Sequence, residues 1–200
     1  KGPQFEAQYV RRQEKMTWIA RAGHFNGTQE IRGETLSGGT LRLKAGDTFT
    51  NGYVYVKFRD LGPVEITAGA SYEDVSAPVG LLAPRDYFII PDEIGFDDSR
   101  VSPKLGLTAY VTSKTVLRAA AYYRLSPAIG RLQTLEPTQV AGFNQFYRDQ
   151  AGTWSLNYGV GVDQTFAHNL FGGLSVLRRH LDIPEVTCDA PGLSSGCAGR

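Results

Sequence analysis

The sequence predicts an all-β fold, an antiparallel transmembrane β-barrel of about eight spanning strands, standing alone or as a contiguous part of a larger barrel. Three observations carry that expectation. Eight stretches alternate with period two between an apolar face and a face that mixes charge with Tyr and Gly. The connections between them alternate short and long, as they do in outer-membrane barrels with tight periplasmic turns and extended outer loops. The composition, 23 Gly and 10 Tyr against a single Met, favours strand over helix.

The expected strands are 4–12, 16–25, 49–60, 63–74, 102–112, 115–125, 153–166 and 169–181. In "GYVYVKFR", Gly52, Val54, Val56 and Phe58 oppose Tyr53, Tyr55, Lys57 and Arg59. In "VEITAGASY", Val64, Ile66, Ala68, Ala70 and Tyr72 oppose Glu65, Thr67, Gly69 and Ser71. Leu105, Leu107, Ala109 and Val111 oppose Lys104, Gly106, Thr108 and Tyr110, and the next stretch sets Leu117, Ala119, Ala121 and Tyr123 against Arg118, Ala120, Tyr122 and Arg124. "WSLNYGVGV" sets Trp154, Leu156, Tyr158, Val160 and Val162 against Ser155, Asn157, Gly159 and Gly161. Thin, small apolar faces ending in Trp or Tyr suit a lipid-facing exterior with aromatic girdles around a wet lumen.

The tight connections are "QEKM", "DLGP", "TSK" and "AHN". The wall is therefore expected over 1–181, with external loops near 26–48, 75–101 and 126–152 and an external loop or tail at 182–200. Counting "VAGFNQFY" (140–147) as a spanning strand would break the alternation, so 126–152 reads as one excursion, folded on itself or tucked into the lumen. No internal repeat of fixed period is visible, which disfavours solenoids and propellers.

A net charge of +1 gives no bulk attraction to nucleic acid. No apolar run approaches the ~18 residues of a membrane helix, an absence that a spanning barrel shares. The chain opens "KGPQFEAQYV" without a leader, as expected of a mature product or a piece of a longer polypeptide. Cys188 and Cys197, in a Gly/Ser/Pro-rich tail, are expected to form a loop disulfide in an oxidising compartment.

The expected lumen-lining residues are Arg21, Lys57, Arg59, Glu65, Lys104, Tyr110, Arg118, Tyr122, Arg124 and Asp163. Their cations can favour anionic solutes or grip a plug; the favoured alternative is internal salt-bridging with Glu6, Glu65 and Asp163. Arg178 and Arg179 cannot both face inward in a regular strand. His24, His168 and His180 form neither a triad nor a close ligand cluster, so no catalytic residue, metal or cofactor is assigned. The acids of "DEIGFDD" match a calcium loop poorly and read as a solvated loop, and "SGG" at 37–39 reads as a turn.

With the strands placed, "SPKLGLTAYVTSKTVLRAAAYYRLS" resembles a barrel hairpin of TonB-dependent outer-membrane receptors. "NYGVGVDQTFAHNLFGGLSVLRRHLDIP" resembles the following descent and ascent, and "LEPTQVAGFNQFYRD" resembles a subgroup sometimes linked to tetratricopeptide repeats. The resemblance implies solute uptake or passage across a bacterial outer membrane, with outer-membrane lipid and lipopolysaccharide as surroundings. It also implies a plug or energy-coupling partner outside this chain. The sequence shows no plug, no energy-coupling box and no terminal aromatic, and would supply about a third of a 22-stranded receptor. The alternatives are an export or anchoring barrel linked to tetratricopeptide repeats, or a soluble lipocalin-like binding barrel with an apolar interior.

Overall fold

In the computed structural model the described residues are 2–34, 40–78, 95–126, 136–146, 149, 152–167, 169–183, 186–188 and 197–199. Eight strands form one antiparallel sheet: β1 (Gln4–Arg12), β2 (Met16–Glu34), β3 (Thr40–Leu61), β4 (Val64–Pro78), β5 (Gly95–Tyr110), β6 (Thr115–Leu125), β9 (Trp154–Ala167) and β10 (Leu170–Asp182). Each pairs with its neighbour in the order β1-β2-β3-β4-β5-β6-β9-β10. Two small pairs, β7 (Gln139–Val140) with β8 (Phe143–Asn144) and β11 (Val186–Cys188) with β12 (Cys197–Gly199), form separate two-stranded ladders that do not join the large sheet's hydrogen bonding. The sheet is open: β1 and β10 are its two edges, and no ladder joins them. The all-β antiparallel expectation holds, whereas a closed barrel is not what the structure displays. Among the described residues no helix is long and apolar enough to cross a membrane.

The register converts the alternation into two faces. One row runs Met16, Phe58, Ile66, Leu107, Ala119, Val160 and Val176 across seven strands, every member apolar. A row on the opposite face runs Ile19, Tyr55, Gly69, Lys104, Tyr122, Asn157 and Arg179. A one-residue slip would exchange the rows, so the pattern itself pins the pairing. The apolar face is bare: Leu174 is 71% exposed, Val160 62% and Leu105 57%. The polar face is the covered one, with Lys104, Arg124 and Asn157 all buried.

The predicted external loop at 26–48 is corrected. β2 and β3 continue to pair from Asn26↔Thr48 out to Glu34↔Thr40, so most of the expected loop is strand. An established ladder adds each further antiparallel pair without a new loop-closure cost, and here pairing runs straight through the Asn26-Gly27 turn signal. Likewise β4 runs to Pro78 and β5 starts at Gly95, trimming the predicted 75–101 loop; 79–94 lies outside the described residues, as do "SGG" and the first two of the four "DEIGFDD" acids, while Asp97 and Asp98 fall in β5. The tight turns fall as predicted, with Gly62 at φ 69° in the β3–β4 turn. Of 126–152, the part from 136 to 146 returns onto the polar face.

Candidate functional site

The centre of the molecule is where that returning segment meets the sheet. Val140 and Phe143 are buried against Tyr53, Tyr55, Ala120 and Tyr122. "VAGF" makes a two-residue hairpin with positive φ at both central positions, Ala141 (47°) and Gly142 (81°). The floor beneath it is made of small residues. A Cβ on Gly106 would lie 2.8 Å from Ala141 Cβ, and one on Gly159 would lie 3.0 Å from the Phe143 ring. Tyr122 Oη donates to Asn144 O at 2.5 Å, and Gln145 Nε2 donates to Pro137 O at 2.6 Å and Tyr55 Oη at 3.0 Å.

Glu136, at the head of the segment, is the hub of a buried polar network. Its Oε1 accepts from Lys104 Nζ at 2.5 Å and from Tyr55 Oη at 2.6 Å, while Oε2 accepts from Arg124 Nη1 at 3.1 Å. Donors on β3, β5 and β6 thus reach one carboxylate. Long side chains carry the donors across the roughly 4.8 Å strand spacings to that one point. Lys104 also donates to Ser71 Oγ at 2.7 Å; Ser71 and Ser102 each donate to Glu73, at 2.7 and 2.6 Å. Two cations (Lys104, Arg124) are thereby matched by two acids (Glu73, Glu136), the balance that buried charges require. Burial alone would push the Glu136 carboxyl up. The charges of Lys104 and Arg124, with the hydrogen bonds from Lys104 and Tyr55, outweigh it and hold the group down at about 2.

The other predicted wall residues fall into separate pairs. Arg21, buried, bridges Glu6. Arg118 grips Asp163 through two bonds, Nε–Oδ2 at 2.6 Å and Nη2–Oδ1 at 3.0 Å, beside the Phe143 ring. Lys57 bridges Glu65 at 2.5 Å and Arg59 approaches it at 3.9 Å. Glu6, Glu65 and Asp163 each pair with a lining cation as expected, whereas Lys104 and Arg124 are answered by Glu73 and Glu136, which the sequence reading did not name. Tyr122 is buried in the core, whereas Tyr110 shares its parity but stands half-exposed at the turn end. Arg179 donates to Asn157 Oδ1 at 2.8 Å and to Asp149 on the polar side, and Arg178 lies on the apolar face, so the two arginines do part.

Two hub residues escaped the sequence reading. Glu73 is the next odd position after Ser71 and extended parity would have found it. Glu136 lies outside any alternating run and gives no such signal. His24 meets Thr50 Oγ1 at 2.8 Å and His180 stacks on Tyr158, far from the hub, while His168 lies outside the described residues. Among the described residues no group of His, Cys, Asp and Glu is placed to hold a metal ion. The β11–β12 register sets Cys188 opposite Cys197 along the backbone. No protein-family model, no curated protein and no solved structure matches the chain.

Proposed function

We propose that the chain is the wall, or a contiguous part of the wall, of an outer-membrane β-barrel of receptor, transporter or porin type that carries solute across the bacterial outer membrane. The observation that carries this reading is the reversed polarity of the sheet. Apolar side chains crowd the bare face, and ion pairs occupy the covered one. In water that arrangement leaves a large apolar surface unsatisfied; in lipid it is the expected one. A soluble binding barrel would place its apolar face inside, the opposite of what is found here. A trough of about 710 Å³ on the bare face, lined by Leu105, Leu107, Ala119, Val160 and Val176 among others, suits packed acyl chains.

The edges supply the second argument. β1 and β10 leave ladder groups unpaired, and such groups cost several kcal/mol each in lipid. On this reading they join further strands, from elsewhere in a longer chain or from each other, to close the wall. At 19 and 22 residues, β2 and β3 far exceed the roughly 9–11 residues that span a bilayer. Their distal arm then stands clear of the membrane on the long-loop side, where a solute is first met. The inserted hairpin narrows the path along the polar face, so passage is selective.

The test is folding into detergent micelles and lipid vesicles, read by heat-modifiable electrophoretic mobility and protease protection. Insertion is expected. A monodisperse monomer that stays folded without detergent sinks the reading. In planar bilayers, Arg118→Leu should alter ion selectivity while insertion persists.

A further inference from the structure

Beyond the hub, the polar face holds a second feature at the tight-turn end. A cavity of about 410 Å³ is lined by Gln8, Arg12, Thr17, Lys57 and Arg59, with Val10, Ile19 and Pro137 completing its wall. Register explains the gathering: Arg12 pairs with Thr17 and Thr17 with Lys57, so three adjacent strands deliver these side chains to one level of the same face. Three cations face the cavity and, among the described residues, only Glu65 answers them, 2.5 Å from Lys57 and 3.9 Å from Arg59. Arg12 makes no ion pair among the described residues. The hub cancels its charges; this cavity keeps a formal excess of two positive charges.

A further observation points to a ligand. Thr17 is 94% buried (6% exposed), and its Oγ1 is shielded from solvent with no hydrogen-bond partner among the described residues. A buried hydroxyl left unpaired costs free energy, and such groups call for an explanation. Thr17 lines the cavity between Arg12 and Lys57, its register partners on the two flanking strands. Two guanidinium forks and an ammonium around a hydroxyl donor form a receptor for a multivalent oxyanion.

We propose that this cavity is a binding site for a small solute bearing a phosphate or polycarboxylate group, with Arg12, Lys57 and Arg59 pairing its charge and Thr17 donating a hydrogen bond. Glu65 competes for the same cations and keeps them extended when the site is empty. The proposal concerns the folded sheet itself. It stands or falls separately from the membrane reading, because binding and insertion are measured independently.

The experiment is calorimetric titration of the folded 200-residue chain with inorganic pyrophosphate, and with citrate in a second arm. Saturable binding of either is expected, and which one binds distinguishes phosphate from carboxylate. Lys57→Met/Arg59→Met should abolish it. Thr17→Val should weaken it about tenfold, the size of one hydrogen bond to a charged group, and Thr17→Ser should restore it. Glu65→Gln should tighten it several-fold, while Asp98→Asn, an equal charge change outside the cavity, should leave it unchanged. Binding that is absent in both arms, or that survives in the double variant, overturns the proposal. So does binding that follows net charge alone, with Asp98→Asn acting like Glu65→Gln. Glu65→Gln keeps the wall intact and decides the matter even where another variant fails to fold.

Discussion

Leu107 and Lys104 lie three residues apart on one strand and inhabit opposite worlds. Leu107 is 40% exposed within an all-apolar row, whereas Lys104 is 3% exposed and bonded to two oxygens. Ordinary partition would send each to the other side. The difference teaches that this sheet does not place charge by access to water. It places charge where an acid from the inserted segment or a neighbouring strand waits, and leaves its apolar row bare, the row that meets lipid on the function proposed above. The two faces therefore fail in different ways when altered.

The largest effect is expected at the hub. Glu136→Ala leaves Lys104 and Arg124 buried without their shared acid, which should cost about 3–5 kcal/mol in denaturant unfolding. Acid should do the same to the unaltered chain. The folded-state value of Glu136, about 2, lies below the usual value of 4.5, so the ionised carboxylate stabilises the fold. That contribution is fully present above about pH 4.5 and is lost as pH falls through the folded value. A shift of this size corresponds to about 3 kcal/mol. The difference in stability between the native chain and Glu136→Gln should shrink progressively between pH 4.5 and 2. A difference that stays level over that range would show that the carboxylate is not the hub.

On the other face, Leu107→Arg should cost about 2–4 kcal/mol when the protein is unfolded from vesicles. A loss near zero there would remove the contrast between the faces.

Much of this was legible in the residues. Alternation placed all eight sheet strands and assigned Arg21, Lys104, Arg118, Tyr122 and Arg124 to the polar side, because period two leaves a side chain no third option. The same rule separated Arg178 from Arg179. Strand ends were less legible: the arm of β2 and β3 is held by pairing inherited from the ladder below it, which no local pattern announces. Glu136 was illegible for a related reason. Its role is set by cations 12 and 32 positions away in sequence, and a lone acid beside a proline carries no periodicity.

The hairpin that delivers the segment offers the smallest and most discriminating test. Ala141 and Gly142 both hold positive φ, yet their side-chain requirements differ. A Cβ on Gly142 would stand 2.3 Å from Arg118 Nη1, so Gly142→Ala meets both backbone strain and the Arg118–Asp163 pair. It should cost about 1–2 kcal/mol. Ala141→Gly relieves a strain of similar origin, about 1–2 kcal/mol. Against that gain, glycine loses about 0.5–1 kcal/mol in chain entropy, and the methyl that packs on Gly106 is gone. These terms oppose, so chemical unfolding should show a change within about 0.5 kcal/mol of zero. A clear stabilisation by Ala141→Gly would mean that the methyl does not seat the hairpin, and that the glycine floor has another purpose.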